Sequence, residues 1–574
     1  MLSKTINKNS ILSSYSTLVV SSALYVVLLF TSNDMNIYLF STISILFFIY
    51  TILFFDDERM GNKLNKVIES GTFNKLNNKN PKFYFQILFV LLTILVLIFQ
   101  GQYLNFETID ADIHTYLLVG NDVLRGSLPY ENEWDDKGPI LYLFYALLIF
   151  LSGKNLIIFK IYCDILFLII TYLIAKIIFL LSNKELTSKP IIGSVFFIFL
   201  MSSPWGTNEY SEIFCIFFIS SSLYILLQND FQRNATVIAG ILYGFSTLTN
   251  QGSGIFIILF IYFFYCFSKA KNFVPFLLGI SIVHSTFLFL YLSKDLLDIY
   301  VSTLFFIPIK YSQQSFNIVS EFFVFLRETF DYSPFIYSII LYLIMIAIFE
   351  IIKDGFNPTN TFIVLALALS LLFFYLGSTG YKHHLIFMLF FLCILVTSSN
   401  ISSKKYTWIL CFLLIGFFIT LGPSATKNSF NNFTNINKIY SGYPLKELAS
   451  EINNNFDDTF NIFSLDHNLI LFYLDLQNQS FIIHPTNYTE ITIVNELQRI
   501  GRISSNELPY QISRKPDVVI CSPAIRILIT EVNCEVTDFF SGYNKIETYK
   551  YFENESRTYY KDPYRLIDLY IKSD

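Results

Sequence analysis

The sequence predicts a polytopic α-helical membrane protein with about thirteen crossings and a C-terminal extracytoplasmic α/β domain. Three observations predict it. Of 574 residues, 53% are hydrophobic and only 14% charged, against about 25% charged in soluble proteins. The apolar residues gather in long runs, and about 20 helical residues cross a hydrocarbon core of roughly 30 Å. Lys and Arg, finally, are shared unevenly between the segments that join those runs, as cytoplasmic retention of positive charge requires. A soluble globular protein is excluded, and with no basic excess anywhere no nucleic-acid partner is expected.

The apolar runs fall at 11–31, 35–55, 83–100, 155–181, 190–202, 213–228, 235–249, 254–268, 273–292, 334–352, 360–377, 384–399 and 406–422. A further stretch, Ile140 to Leu151, has only twelve residues and is expected to lie at the interface or re-enter. If the N-terminus is inside and that stretch does not cross, the inner segments carry sixteen Lys and Arg and the outer ones seven. If it crossed, Lys269, Lys271, Lys404 and Lys405 would face outward. The charge bias therefore favours thirteen helices, with loops 101–154 and 293–333 and the tail outside.

Three regions follow: a helical hairpin and cytoplasmic loop at 1–82, a membrane module at 83–422, and a polar domain at 423–574. The tail holds 14 basic and 19 acidic residues, which leaves the membrane body neutral. Its strand-like pieces FNIFSLD, LILFYLD, SFIIHP and DVVICS alternate with polar helical stretches, and 545–561 reads as a hairpin. Lys4 and Lys8 precede an apolar run too long for a signal peptide, which reads as a retained first helix. Five of the seven cysteines sit in apolar runs. Cys521 and Cys534 could pair if the tail faces an oxidising compartment.

Residues 107–139, ETIDADIHTYLLVGNDVLRGSLPYENEWDDKGP, carry eight carboxylates against Arg125 and Lys137. A mere connector would not need so many acids at a membrane surface. Tyr116 to Leu124 suit an amphipathic helix along the interface, ended by Gly126.

The order Asp112, Tyr116, Gly126, Pro129-Tyr130, then Trp134-Asp135-Asp136-Lys137-Gly138-Pro139 and an aromatic apolar helix resembles the first external loop of GT-C glycosyltransferases. The nearest likeness is to the polyprenyl-phosphate-sugar-dependent group, which includes protein O-mannosyltransferases and the lipid A aminoarabinose transferase. Weaker likenesses are GTNEYSEIF at 206–214, with Glu209 and Glu212, AGILYGFSTLTNQ at 239–251, and GYKHHLIFMLFFL at 380–392, with Lys382 and His383. The chain departs from the group by Asp112-Ile113 where many relatives have Asp-Glu, and by Lys160 where an arginine is usual. The resemblance implies a membrane glycosyltransferase that moves a sugar from a polyprenyl-phosphate donor to an extracytoplasmic lipid, glycan or protein.

Such a transfer needs a base for the acceptor, and a positioned carboxylate serves. Asp112 is the first candidate and Asp110 the second. The departing phosphate needs a cation. Lys137 leads, with Lys382 and His383 arriving from another loop, and Asp136, Tyr116, Glu209 and Glu212 complete the candidate binding set. In-line attack from the face opposite the phosphate implies inversion. Eight carboxylates permit a divalent metal, but no spacing requires one. Plainer readings stand beside these: Asp112 as a helix cap, Lys137 reaching lipid headgroups, Trp134 and Trp205 anchoring at the interface. Competing classes are an O-antigen-type polymerase or ligase and a transporter or flippase of lipid-linked saccharides. Composition rich in Asn, Lys, Ile and Phe points to a multi-pass protein of a bacterial inner membrane.

Overall fold

In a computed structural model of the protein, the described residues are 81–574 except 108–109, 183, 185, 204, 268, 313–316, 355–357, 378–380, 399–403, 457–459, 466, 489, 505–509, 512, 522–524, 528–529, 533–542, 553–563 and 573–574. The expected runs 11–31 and 35–55, and with them nearly all of region 1–82, lie outside these residues.

Among the described residues, each of the eleven apolar runs after residue 82 is helical over most of its length. Among the described residues, Pro81–Tyr103, Leu156–Leu181, Ser211–Gln228 and Ala270–Leu292 are long and apolar enough to cross a membrane. Helices Pro334–Asp354, Pro358–Leu376 and Lys404–Thr434 have 21, 19 and 31 residues, and several others are shorter. Lys189–Leu200 has 12 residues, about 18 Å at 1.5 Å per residue, and it is buried almost throughout among its neighbours. An apolar run of that length is as compatible with a packed core helix as with a crossing.

The short stretch is the helix Pro139–Ser152, opened by proline in its first turn and closed by Gly153 at φ 58. Its 14 residues span about 21 Å, less than a bilayer core. Loop 293–333 proves to be mostly helix: Leu297–Val301, a π turn at Ser302–Phe306, Ile307–Tyr311 and Ile318–Tyr332. The helix Ala111–Leu124 differs from its expectation. It does not lie on a surface; residues 113–122 are all buried, between Pro139–Ser152 and the tail helix Leu469–Leu474. Gly126, at φ 102, turns the chain after it.

The tail contains strands β1 Ile462–Ser464, β2 Val518–Cys521, β3 Ile525–Ile527, β4 Thr530–Val532, β5 Tyr543–Phe552 and β6 Tyr564–Lys572. One sheet has the order β1-β2-β6-β5, with β1 and β2 parallel and the other pairs antiparallel; β3 and β4 pair separately. Two expected strands change. LILFYLD folds as the helix Leu469–Leu474, because a short apolar run has no period that separates a buried strand from a buried helix. SFIIHP makes one bridge, Ile482 to Trp134. The hairpin is longer than 545–561, its second arm being β6.

Helix Lys404–Thr434 continues through Pro423, so no break separates 422 from 423. A single buried apolar cluster runs from Tyr84 in the membrane body to Leu569 in β6. Tail and body share one core.

Candidate functional site

The acidic loop is shaped by local hydrogen bonding. Asp110 is the N-cap of helix Ala111–Leu124 and accepts from the Asp112 backbone N at 3.0 Å, satisfying one of the free donors of the first turn. The capping role weighed for Asp112 therefore belongs to Asp110, and Asp112 is left with its carboxylate free for other partners. The second Asp110 oxygen accepts from the Tyr210 hydroxyl. The Tyr210 ring stacks on His383 with centroids 4.3 Å apart.

Farther along the loop, Lys137 is fixed from both sides. Its carbonyl accepts from the Tyr130 hydroxyl, and its backbone N donates to the Tyr142 hydroxyl at 3.2 Å. Gly138 N donates to the Thr249 carbonyl at 3.1 Å and Ile140 N to that of Leu248 at 2.9 Å, which seats the KGP turn on the end of helix Arg233–Thr247. A Cβ on Gly138 would stand 2.1 Å from the Leu248 oxygen. Close approach, not backbone angle, makes glycine necessary here, for its φ is −74. The ammonium of Lys137 pairs with Asp136 at 2.9 Å.

These side chains open into a cavity of about 340 Å³, within the range of small-molecule sites. Its polar side is formed by Asp112, Asp136, Lys137, His383, His384, Asn250, Gln251 and, from the tail, His484, Thr486 and Asn487. Its apolar wall is Leu304, Phe305, Ile307, Pro308 and Ile309, from the π turn and the helix after it, faced by Phe373 and Leu376.

Asp112 sits at the centre. Oδ1 accepts from His484 Nε2 at 2.7 Å; Oδ2 lies 3.9 Å from His383 Nε2. Burial alone would raise this carboxyl. The His484 hydrogen bond and the charges of His484, Lys137 and His383 outweigh it and hold Asp112 below the usual carboxylate range. Asp110 is pushed the other way, by burial and then by the neighbouring Asp112. Burial would lower the Lys137 ammonium, but Asp136, Asp112 and Asp135 hold it well above its usual range. The site thus brings the Asp112 carboxylate and the Lys137–Asp136 ion pair to a common cavity.

Of the residues singled out in the sequence, Asp112, Asp136, Lys137 and His383 line this cavity. Asp110 supports it from behind. Glu212 is fully buried; Asn250 Nδ2 donates to it at 3.3 Å, and His384 Nε2 is 3.5 Å away. Tyr116 and Glu209 pack in the scaffold: Tyr116 meets Tyr145 edge-on at 5.4 Å, and Glu209 accepts from Thr207 while its carbonyl takes the Tyr145 hydroxyl. Lys382 pairs with Glu328 and does not line the cavity. Neither Trp134 nor Trp205 is an exposed anchor; they are 0% and 2% exposed, and Trp134 Nε1 donates to Thr303 at 2.8 Å.

Among the described residues, Glu212, His383 and His384 are the group with metal-binding donor types, their ligand atoms within 4.8 Å of one another. Around a tetrahedral ion with bonds of about 2.0–2.2 Å, donors stand roughly 3.3–3.6 Å apart. His384 Nε2 and Glu212 Oε1, 3.5 Å apart, stand within that range.

Sequence reasoning missed His484, Thr486, Asn487 and the wall at 304–309. A lone histidine in SFIIHPTN carries no motif, and Leu304 to Ile309 read only as apolar loop.

No protein-family model matches the chain, and no curated protein matches it. Among solved structures the chain is similar to ArnT from Cupriavidus metallidurans in the apo state, at 10% identity and a TM-score of 0.42, over 85% of this chain and 98% of that one. It is also similar to the Archaeoglobus fulgidus oligosaccharyltransferase in complex with Zn and sulfate, at 11% identity and a TM-score of 0.37, over 80% and 72% of the two chains.

Proposed function

We propose that this protein is a membrane glycosyltransferase of GT-C type, moving a sugar from a polyprenyl-phosphate donor to an extracytoplasmic lipid, glycan or protein with inversion. The observation that carries the reading is the shared cavity: Asp112 and Lys137, at opposite ends of one acidic loop, line the same space beside an apolar wall. The acceptor hydroxyl or amine attacks the anomeric carbon and gives its proton to Asp112. As the new bond forms, the bond from that carbon to the phosphate oxygen breaks, and the charge left on the phosphate is met by Lys137. The isoprenoid chain lies along Leu304 to Ile309. Asp110, the cap, orients Asp112 and does not take the proton.

In this reading the chain crosses a bacterial inner membrane thirteen times, and loop 101–154 and the region after residue 423 face outward. The disulfide bond of Cys521 supports an oxidising compartment for that region; residue 534 lies outside the described residues.

The test compares envelope glycolipids and glycans from cells carrying wild type, a deletion, or Asp112→Asn, together with release of polyprenyl phosphate by the purified proteins. Loss of one sugar in both mutant strains, with release reduced by about 10²–10⁴-fold, is expected. Wild-type products from Asp112→Asn would remove Asp112 from its role. A lipid-linked saccharide transported but left unchanged would favour the flippase class.

A further inference from the structure

The group that holds Asp112 comes from 372 positions away in the chain, in a region the proposed chemistry does not by itself require. His484 is only 8% exposed, and the segment around it is clamped to the acidic loop. Trp134 N donates to the Phe481 carbonyl at 2.7 Å and Ile483 N to the Trp134 carbonyl at 3.4 Å. Tyr488 and Asn468 bond the carbonyls of Ile482 and Ile483 from the tail side. Ile482 and Ile483 are fully buried. A backbone held at this many points leaves the ring little freedom.

Both ring nitrogens are engaged. Nε2 donates to Asp112 Oδ1, and Nδ1 lies 2.8 Å from Thr486 Oγ1. No nitrogen remains to accept a proton from a substrate, so the ring is placed to hold a carboxylate and not to relay protons. We propose that His484 is the positioning residue of this site, and that docking of residues 480–488 onto the acidic loop completes the catalytic constellation. The C-terminal region is then part of the enzyme's site. This rests on the glycosyltransferase reading for its consequence, though not for the pairing itself.

The groups that face the ring are Asp112, Asp135 and Asp136, with Lys137 and His383 on the far side of Asp112. Burial would lower the imidazole, but the Asp112 hydrogen bond and the charges of Asp112, Asp135 and Asp136 outweigh it and favour the charged form, and a charged donor to a carboxylate is the stronger hydrogen bond.

Two measurements on the full-length protein in detergent separate the outcomes. In ring-nitrogen NMR, the signal lost in His484→Gln identifies this imidazole. It is expected to titrate above the ordinary histidine range of about 6.5 in wild type and to fall in Asp112→Asn. A titration unchanged by Asp112→Asn would overturn the pairing, whatever any transfer assay shows. In the transfer assay, His484→Ala is expected to lose about 10²-fold in kcat with KM nearly kept, and His484→Gln, which retains a donor, to recover part of it. Combining His484→Ala with Asp112→Asn should cost no more than Asp112→Asn alone. The acid limb of the pH profile should move upward in His484→Ala as Asp112 loses its partner. Equal losses in His484→Ala and Tyr488→Phe, with the acid limb fixed, would reduce His484 to a structural latch. An inactive wild type beside an intact ring titration would sink the glycosyltransferase reading and leave the pairing standing.

Discussion

Replacing Gly138 by alanine should damage the site without touching any ionisable group. The added methyl would stand 2.1 Å from the Leu248 carbonyl oxygen and 2.5 Å from its carbon, whereas an ordinary contact begins near 3.4 Å. Both atoms are backbone, at the end of helix Arg233–Thr247, so neither can swing aside. Something must move by about an ångström, and overpacking of this kind costs about 1–3 kcal/mol. The mobile partner is the loop, because the helix end is buried and hydrogen-bonded. Two bonds, Gly138 N to Thr249 and Ile140 N to Leu248, would stretch, and Lys137, one residue before, would be carried out of position in the cavity. A misplacement of about 1 Å in a catalytic arrangement can cost about 10²-fold in rate. Thermal melting in detergent and polyprenyl-phosphate release should therefore both fall, with Gly254→Ala as the control, since a Cβ there meets only Thr247 Cγ2 at 4.0 Å. Wild-type melting and activity in Gly138→Ala would refute the reasoning.

Further expectations concern charge. Lys137→Met keeps the stem but removes the cation, so transfer should fall by about 10²–10³-fold, read as loss of polyprenyl-phosphate release; a Lys137→Met protein at full rate would assign the phosphate to another group. Glu133 is buried beneath the tail, accepts from Asn478 N at 2.8 Å, and is pushed by burial up to about 8. A carboxyl raised on folding favours the folded state at low pH and loses that contribution as pH rises. Melting temperature should therefore decline between about pH 4.5 and 8, and Glu133→Gln should flatten the decline; an unchanged slope would exclude Glu133 as its source. Arg125 donates to Asp475 at 2.7 Å, and Lys154 pairs with the same carboxylate at the same distance. Because these groups are about a third to a half exposed, Asp475→Asn should cost under about 1 kcal/mol, seen as a melting shift of no more than a few degrees.

Local composition and spacing made the helical body and the acidic loop with its glycine stop legible; Asp112 and Lys137, which line one cavity, were singled out by their place in a motif that resembles a known family's. Those features are written within a few turns of chain, where apolar run length and turn chemistry act directly. Which of two nearby acids caps the helix was not legible: Asp110 and Asp112 differ only in backbone angle at the helix start, and the structure gives the cap to Asp110. Folding also decided that Lys382 goes to Glu328, that Trp134 is a core residue, and that LILFYLD is a helix. Each of these depends on what packs alongside, which one-dimensional pattern does not record. The same holds most strongly for His484: nothing near it in sequence marks it, and only the shared core of tail and membrane body brings its ring to Asp112.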